Sequence, residues 1–108
     1  MANYKMYLDT SMYKFTISLA PTAKTDQNQK QRYTKDGAPM WQTEVQAYNP
    51  ETGTAVLMVT TAGEKPKVIS GEAVLPVGLE AVPWNTNGKN GVLYRATELK
   101  PVPATGKP

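Results

Sequence analysis

The chain has 108 residues, with 12 Lys and Arg against 9 Asp and Glu, no cysteine and no histidine. That length is one domain with a modest core; without cysteine there is no disulfide framework or thiolate metal site, and without histidine the commonest general base and transition-metal ligand are both gone. A formal charge of +3 leans toward polyanionic partners. Nothing approaches the ~20 apolar residues of a membrane helix, and residues 1–11 lack an apolar run of signal-peptide length. The expectation is a cytoplasmic chain without a membrane partner.

In chain order, residues 13–20 alternate cleanly, Tyr13, Phe15, Ile17 and Leu19 on one face and Lys14, Thr16 and Ser18 on the other, which predicts a half-buried strand. Met6 and Leu8 extend that face into a short lead-in strand. A long polar stretch follows at residues 21–39, PTAKTDQNQKQRYTKDGAP, far longer than a turn requires, and reads as a flexible arm. Residues 40–48 alternate again, Trp41, Thr43, Val45 and Ala47 opposite Gln42, Glu44, Gln46 and Tyr48. Asn49-Pro50-Glu51-Thr52-Gly53 is a tight turn into a partner strand at residues 55–61.

Residues 63–71 are too short and too marked by Pro and Gly for a helix. Residues 72–82 place Ala73, Leu75, Val77, Leu79 and Ala81 on one face, with Pro76 and Gly78 inside the strand marking an edge or a sharp bend. The segment PWNTNGKNG at residues 83–91 reads as a second long loop, and residues 92–99 as a last strand with two possible faces: Val92, Tyr94 and Ala96, or Leu93, Arg95, Thr97 and Leu99. Residues 103–108 form a flexible Pro-rich tail after a single domain at 1–102.

Five short strands in the order strand, long loop, hairpin, connector, strand, hairpin, strand predict an all-β, five-stranded OB-fold-like barrel. The two enlarged loops, between strands one and two and between strands four and five, are those that flank the nucleic-acid surface of that fold.

The run Gly37-Ala38-Pro39-Met40-Trp41 entering a strand resembles the segment that opens the second strand of small bacterial and phage single-strand-binding OB proteins, and so do residues 77–84 and 88–96. The layout, ending in Leu99-Lys100-Pro101-Val102, is similar to that of filamentous-phage single-strand-binding proteins. The resemblance implies an OB barrel binding single-stranded DNA with little sequence preference, RNA also being possible. The chain lacks the helix usual between strands three and four and the acidic tail of the housekeeping members, which points to a phage or plasmid role in DNA replication, transfer or recombination.

Single strands are held by a positive groove with aromatic faces on which bases stack. The first loop supplies Lys24, Lys30, Arg32 and Lys35 around Tyr33. The second supplies Trp84 and Lys89, with Tyr94 and Arg95 on the strand leaving it. Lys65 and Lys67 flank Pro66 in the connector, and Tyr48 lies on the outward side of strand two. Trp41 has core parity and is read as packed.

An enzyme is not expected: carboxylates are scattered singly and no histidine activates a hydroxyl. No cofactor or metal is implied. Asn87-Gly88-Lys89-Asn90-Gly91 fails the phosphate-loop pattern and reads as a hairpin turn. A homo-oligomer, a dimer first, is expected from the strand edges a small barrel leaves open. The alternative function is a β-barrel protein-interaction module of a phage or plasmid accessory protein.

Overall fold

The computed structural model describes residues 6–102; the tail at 103–108 lies outside them. The described chain is all β, with eight strands: β1 Met6–Tyr7, β2 Lys14–Ala23, β3 Met40–Asn49, β4 Gly53–Ala62, β5 Ala73–Val77, β6 Glu80–Thr86, β7 Lys89–Arg95 and β8 Glu98–Pro101. They form one sheet in the order β1-β6-β7-β4-β3-β2-β5-β8.

The sheet curls into a half-barrel. β7 and β8 are separated by only Ala96 and Thr97, yet β4, β3, β2 and β5 stand between them in the sheet. The two linking residues reach to opposite flanks: Ala96 N–H donates to the Thr60 carbonyl on β4 at 3.1 Å, and Thr97 N–H to the Val77 carbonyl on β5 at 2.9 Å. Thr97 Oγ1 donates to the same Val77 carbonyl at 3.0 Å.

Alternation places the core inside the curl. β3 buries Thr43, Val45 and Ala47 as its pattern predicts, facing Val59 of β4 and Phe15 and Ile17 of β2. Val74, Leu79, Ala96 and Leu99 complete the cluster, with Val68 reaching in from the connector. The connector docks back on β2, Gly71 N–H donating to the Ile17 carbonyl at 2.7 Å and Ile17 N–H to the Glu72 carbonyl at 2.9 Å.

Four expectations need correction. There are eight strands rather than five, because the strand expected over 72–82 breaks at Gly78 (φ 62) into β5 and β6, the last strand breaks at Ala96–Thr97, and β1 pairs with β6. The break at Gly78 also flips the inward face. Before it the even residues Val74 and Pro76 are buried while Leu75 is exposed; after it Leu79 and Ala81 are buried as expected. On β2, register shifts follow Ile17 and Leu19, which turn Leu19 outward, and Tyr13 lies exposed ahead of the strand. Neither face proposed for the last strand is right as a whole, since Ala96 and Leu99 are the buried members of that segment.

Neither long loop is a loose arm. Residues 83–91 belong to the β6–β7 hairpin, paired from Glu80↔Arg95 to Thr86↔Lys89 around the two-residue turn Asn87-Gly88, both at positive φ (54 and 78). That is the turn whose twist suits adjacent strands. The first excursion is pinned at its base by a ring of three backbone bonds: Lys24 N–H to Met40 O (3.0 Å), Met40 N–H to Arg32 O (2.9 Å) and Arg32 N–H to Lys24 O (2.7 Å). Two tight turns project from that ring. In one, the Asp26 carboxylate accepts from the N–H groups of Asn28 and Lys30; in the other, Thr34 Oγ1 accepts from Ala38 N–H.

Candidate nucleic-acid interface

The pinned excursion and the base of the β6–β7 hairpin meet at one end of the curled sheet. Lys24, just past the end of β2, extends across β3 to β4, and its Nζ donates to Thr60 Oγ1 at 3.1 Å. Thr60 sits directly across from Gln42 on the outer face and is buried beneath that lysine. The Lys24 ammonium is held below the usual lysine value, first by burial and then by the positive charges of Arg32 and Arg95. Residues from two separate segments therefore converge, 71 positions apart at the extremes of Lys24 and Arg95.

Arg95 is oriented by Glu80, its cross-strand neighbour, through a 2.9 Å ion pair to Glu80 Oε1. Beside it lies an open cleft of about 520 Å³ lined by Thr34 and Met40 from the first excursion, Thr60 to Ala62 from β4, and Glu80 and Arg95 from the hairpin. Tyr7 of β1, 74% exposed, closes one side. An anion entering near Lys24, Arg32 and Arg95 would relieve their mutual repulsion, which the described neighbours of Lys24 do not do.

Trp84 lies farther out on the same hairpin, four residues beyond Glu80 and roughly 13 Å from it at the ordinary strand rise. It pairs across the hairpin with Gly91, and a Cβ added at Gly91 would come within 2.7 Å of the indole. One face of the ring therefore lies on bare backbone while the side chain as a whole stays 46% exposed. This is a held aromatic platform with a free face.

Of the other expected site residues, Lys30, Tyr33 and Lys35 lie exposed on the turns of the first excursion, Tyr33 bridging to Pro39, and Lys89 stands at the hairpin turn. Lys65 lies over the Trp41 ring at 5.6 Å, and Lys67 pairs at 3.9 Å with Glu64, both ends well exposed. Such an exposed pair adds little to stability. Tyr94 packs on the core with Leu57 rather than facing the basic cleft. Tyr48, paired with Lys14 and Thr54, sits at the far end of β3, roughly 25 Å from Met40 at the ordinary strand rise. The structure does not bring Tyr48 or Tyr94 to the cluster. Trp41 is half-buried, as its parity predicts, and its indole N–H donates to the Gly63 carbonyl at 2.8 Å.

Thr60, Tyr7 and Gly91 were not singled out from the sequence. Thr60 and Gly91 owe their importance to cross-strand register, which composition does not reveal, and Tyr7 to the pairing of β1 with β6. Among the described residues, no group of three or more His, Cys, Asp or Glu is placed to hold a metal ion, and no helix is long and apolar enough to cross a membrane. No protein-family model, curated protein or solved structure matches this chain.

Proposed function

We propose that this chain binds single-stranded nucleic acid, DNA in the first instance, with little sequence preference. The observation that carries this reading is the convergence of Lys24, Arg32 and Arg95 at one end of the sheet, on the same hairpin that farther out carries a Trp84 indole with one face backed by Gly91. Cations tracking phosphates and an aromatic face for a base are the two elements such binding needs, and neither reads sequence. Lys30, Lys35, Tyr33 and Lys89 extend the same surface along the two projections.

The barrel behind this reading is of OB type. Taking β7 and β8 as one interrupted strand, β2, β3, β4, β5 and that strand make five, with β4 running parallel to β7 and β5 antiparallel to β2 and β8. The first excursion then joins strands one and two, and β6 with the first half of β7 forms the projection between strands four and five, the places from which OB folds grip oligonucleotides.

A second reading, a protein-interaction module, draws on a different surface. The outer face of β2, β3 and β4 sets exposed Leu19 and Met58 in one cross-strand row on either side of Glu44, with exposed Val56 beside Gln46 in the next. Titration with oligo-dT and with duplex of equal length, followed by tryptophan fluorescence, separates the two. Preference for the single strand supports nucleic-acid binding; no response to either, or equal affinity, leaves the protein-binding reading.

A further inference from the structure

Phosphate binding leaves one residue of the basic end unexplained. Glu80 lines the open cleft beside Arg95 and holds its Nη2 at 2.9 Å. That contact orients the guanidinium, but it also withholds it, because a carboxylate repels the phosphates that the cations attract. A cleft built for phosphate alone would gain from having no acid there.

The strand register shows what accompanies Glu80. Tyr7 pairs with Glu80, Glu80 with Arg95, Arg95 with Thr60, and Thr60 with Gln42. Directly paired residues share a face of the sheet, so these side chains form one row across β1, β6, β7, β4 and β3, at roughly 4.8 Å per step. Their chain neighbours Ala81, Ala96 and Val59 are buried, which puts the row on the outer surface. In order it presents an exposed aromatic ring, a carboxylate, a guanidinium, a hydroxyl that carries the Lys24 ammonium at 3.1 Å, and an amide. Neither charged group is used up by the other. A carboxylate has about four acceptor sites and a guanidinium five N–H donors, and Arg95 Nε makes no hydrogen bond.

We propose that the part of the cleft between Tyr7, Glu80 and Arg95 takes one unpaired nucleobase by its Watson–Crick edge, beside a phosphate held by Lys24 and Arg32. This rests on the nucleic-acid reading above and adds how the pairing state of the strand is sensed. Each base carries an N–H donor next to an acceptor on that edge: adenine N6–H and N1, cytosine N4–H and N3, guanine N1–H and O6, thymine N3–H and O4. A carboxylate beside a guanidinium is an acceptor beside a donor, the complement in all four cases, so the contact discriminates little among bases. In a duplex the same atoms are bonded to the opposite base, and Glu80 then only repels. A simple anion offers Glu80 no donor at all, which singles out the base over a phosphate or carboxylate ligand. Tyr7 supplies a ring face at the edge of the row, as bases on single strands require, and the cleft of about 520 Å³ falls within the roughly 300–1,000 Å³ of small-molecule sites.

Competition binding of oligo-dT and of an equally long oligonucleotide of N3-methylthymidine tests this. The methyl group removes the N3–H donor and leaves the phosphates and the ring face in place. The wild type is expected to bind oligo-dT about tenfold more tightly, the lower end for one hydrogen bond to a charged group. Glu80→Ala should bring the two affinities within about twofold of each other, whatever the freed Arg95 does to both. Glu98→Ala, which removes the same charge from β8, should keep the tenfold ratio. Thermal melts establish that each variant is folded, and Glu80→Gln, which keeps the size and loses the charge, serves should Glu80→Ala unfold, with the ratio reduced to about threefold. Equal wild-type affinity for the two oligonucleotides overturns the inference while leaving the nucleic-acid reading standing. A ratio that survives in the Glu80 variant, or that Glu98→Ala lowers as much, overturns it too; binding of neither oligonucleotide overturns both.

Discussion

The Trp84 indole lies across the backbone of Gly91, its partner on the neighbouring strand, so closely that a methyl group at Gly91 would sit 2.7 Å from the ring. Glycine at this position is therefore part of the aromatic platform: any Cβ must tilt the indole. Gly91→Ala is expected to weaken oligo-dT binding about as much as Trp84→Ala, roughly 1–3 kcal/mol for a lost stacking face, with little change in melting temperature because the arm is exposed on both faces. Fluorescence titration of both variants checks it; unimpaired binding by Gly91→Ala would show that the ring orientation is irrelevant.

Lys24 ties acid–base behaviour to binding. Its ammonium is held below the ordinary 10.5 by burial and then by Arg32 and Arg95, so as pH rises it loses its proton before exposed lysines do. Oligonucleotide affinity should start to fall below the usual lysine range, and Lys24→Arg, which stays charged, should delay that fall. Stability moves the other way. Between the lowered folded value and 10.5 the unfolded chain holds more of this proton, so this group's contribution to stability rises with pH through that window. Binding and melting profiles on both proteins between neutral pH and pH 10.5 check both signs; coincident binding profiles would remove Lys24 from the site.

Trp41 differs from Trp84 in what its loss costs. Its N–H bond to the Gly63 carbonyl and the Lys65 ammonium over its ring make it a structural cap on this end of the sheet. Trp41→Phe should cost about 1 kcal/mol for the lost hydrogen bond, and Trp41→Ala about 3 kcal/mol, measured by denaturant unfolding. With Phe at either site, quenching by oligo-dT should persist in the protein retaining Trp84 and vanish in the one retaining Trp41.

Gly78 sets the phase between β5 and β6 by adopting φ 62. A Cβ there meets only Thr97 at an ordinary 3.6 Å, so Gly78→Ala should cost about 1–2 kcal/mol of stability from the left-handed backbone alone. A loss far above that in a chemical denaturation series would mean the break is held by packing instead.

The strands were legible where one face is buried and the ladder is regular. On β3 the alternation through Thr43, Val45 and Ala47 predicts the inward face without error. It fails where the backbone adds or reverses a half-period: at the shifts beside Leu19 and at the left-handed Gly78, positions whose parity effect depends on conformation rather than residue type. Residues 83–91 were read as loop because a hairpin arm with both faces exposed has no apolar alternation to display, although Asn87-Gly88 marks its turn. The basic character of the first excursion was visible as composition. That Lys24 leaves the exposed turns to reach Thr60 was not, because the ring of backbone bonds through Lys24, Arg32 and Met40 is a tertiary feature.

The salt dependence of oligo-dT binding tests the central claim most directly. If Lys24, Arg32 and Arg95 meet phosphates together with one to three of Lys30, Lys35 and Lys89, about 4–6 phosphates are neutralised and log affinity should fall against log salt with a slope of about −3 to −4. Replacing Lys24 and Arg32 by Gln should make that slope shallower by about one unit or slightly more without lowering the melting temperature of the core. A flat salt response in the wild type, or a slope unchanged in the double variant, would contradict binding at this end of the sheet.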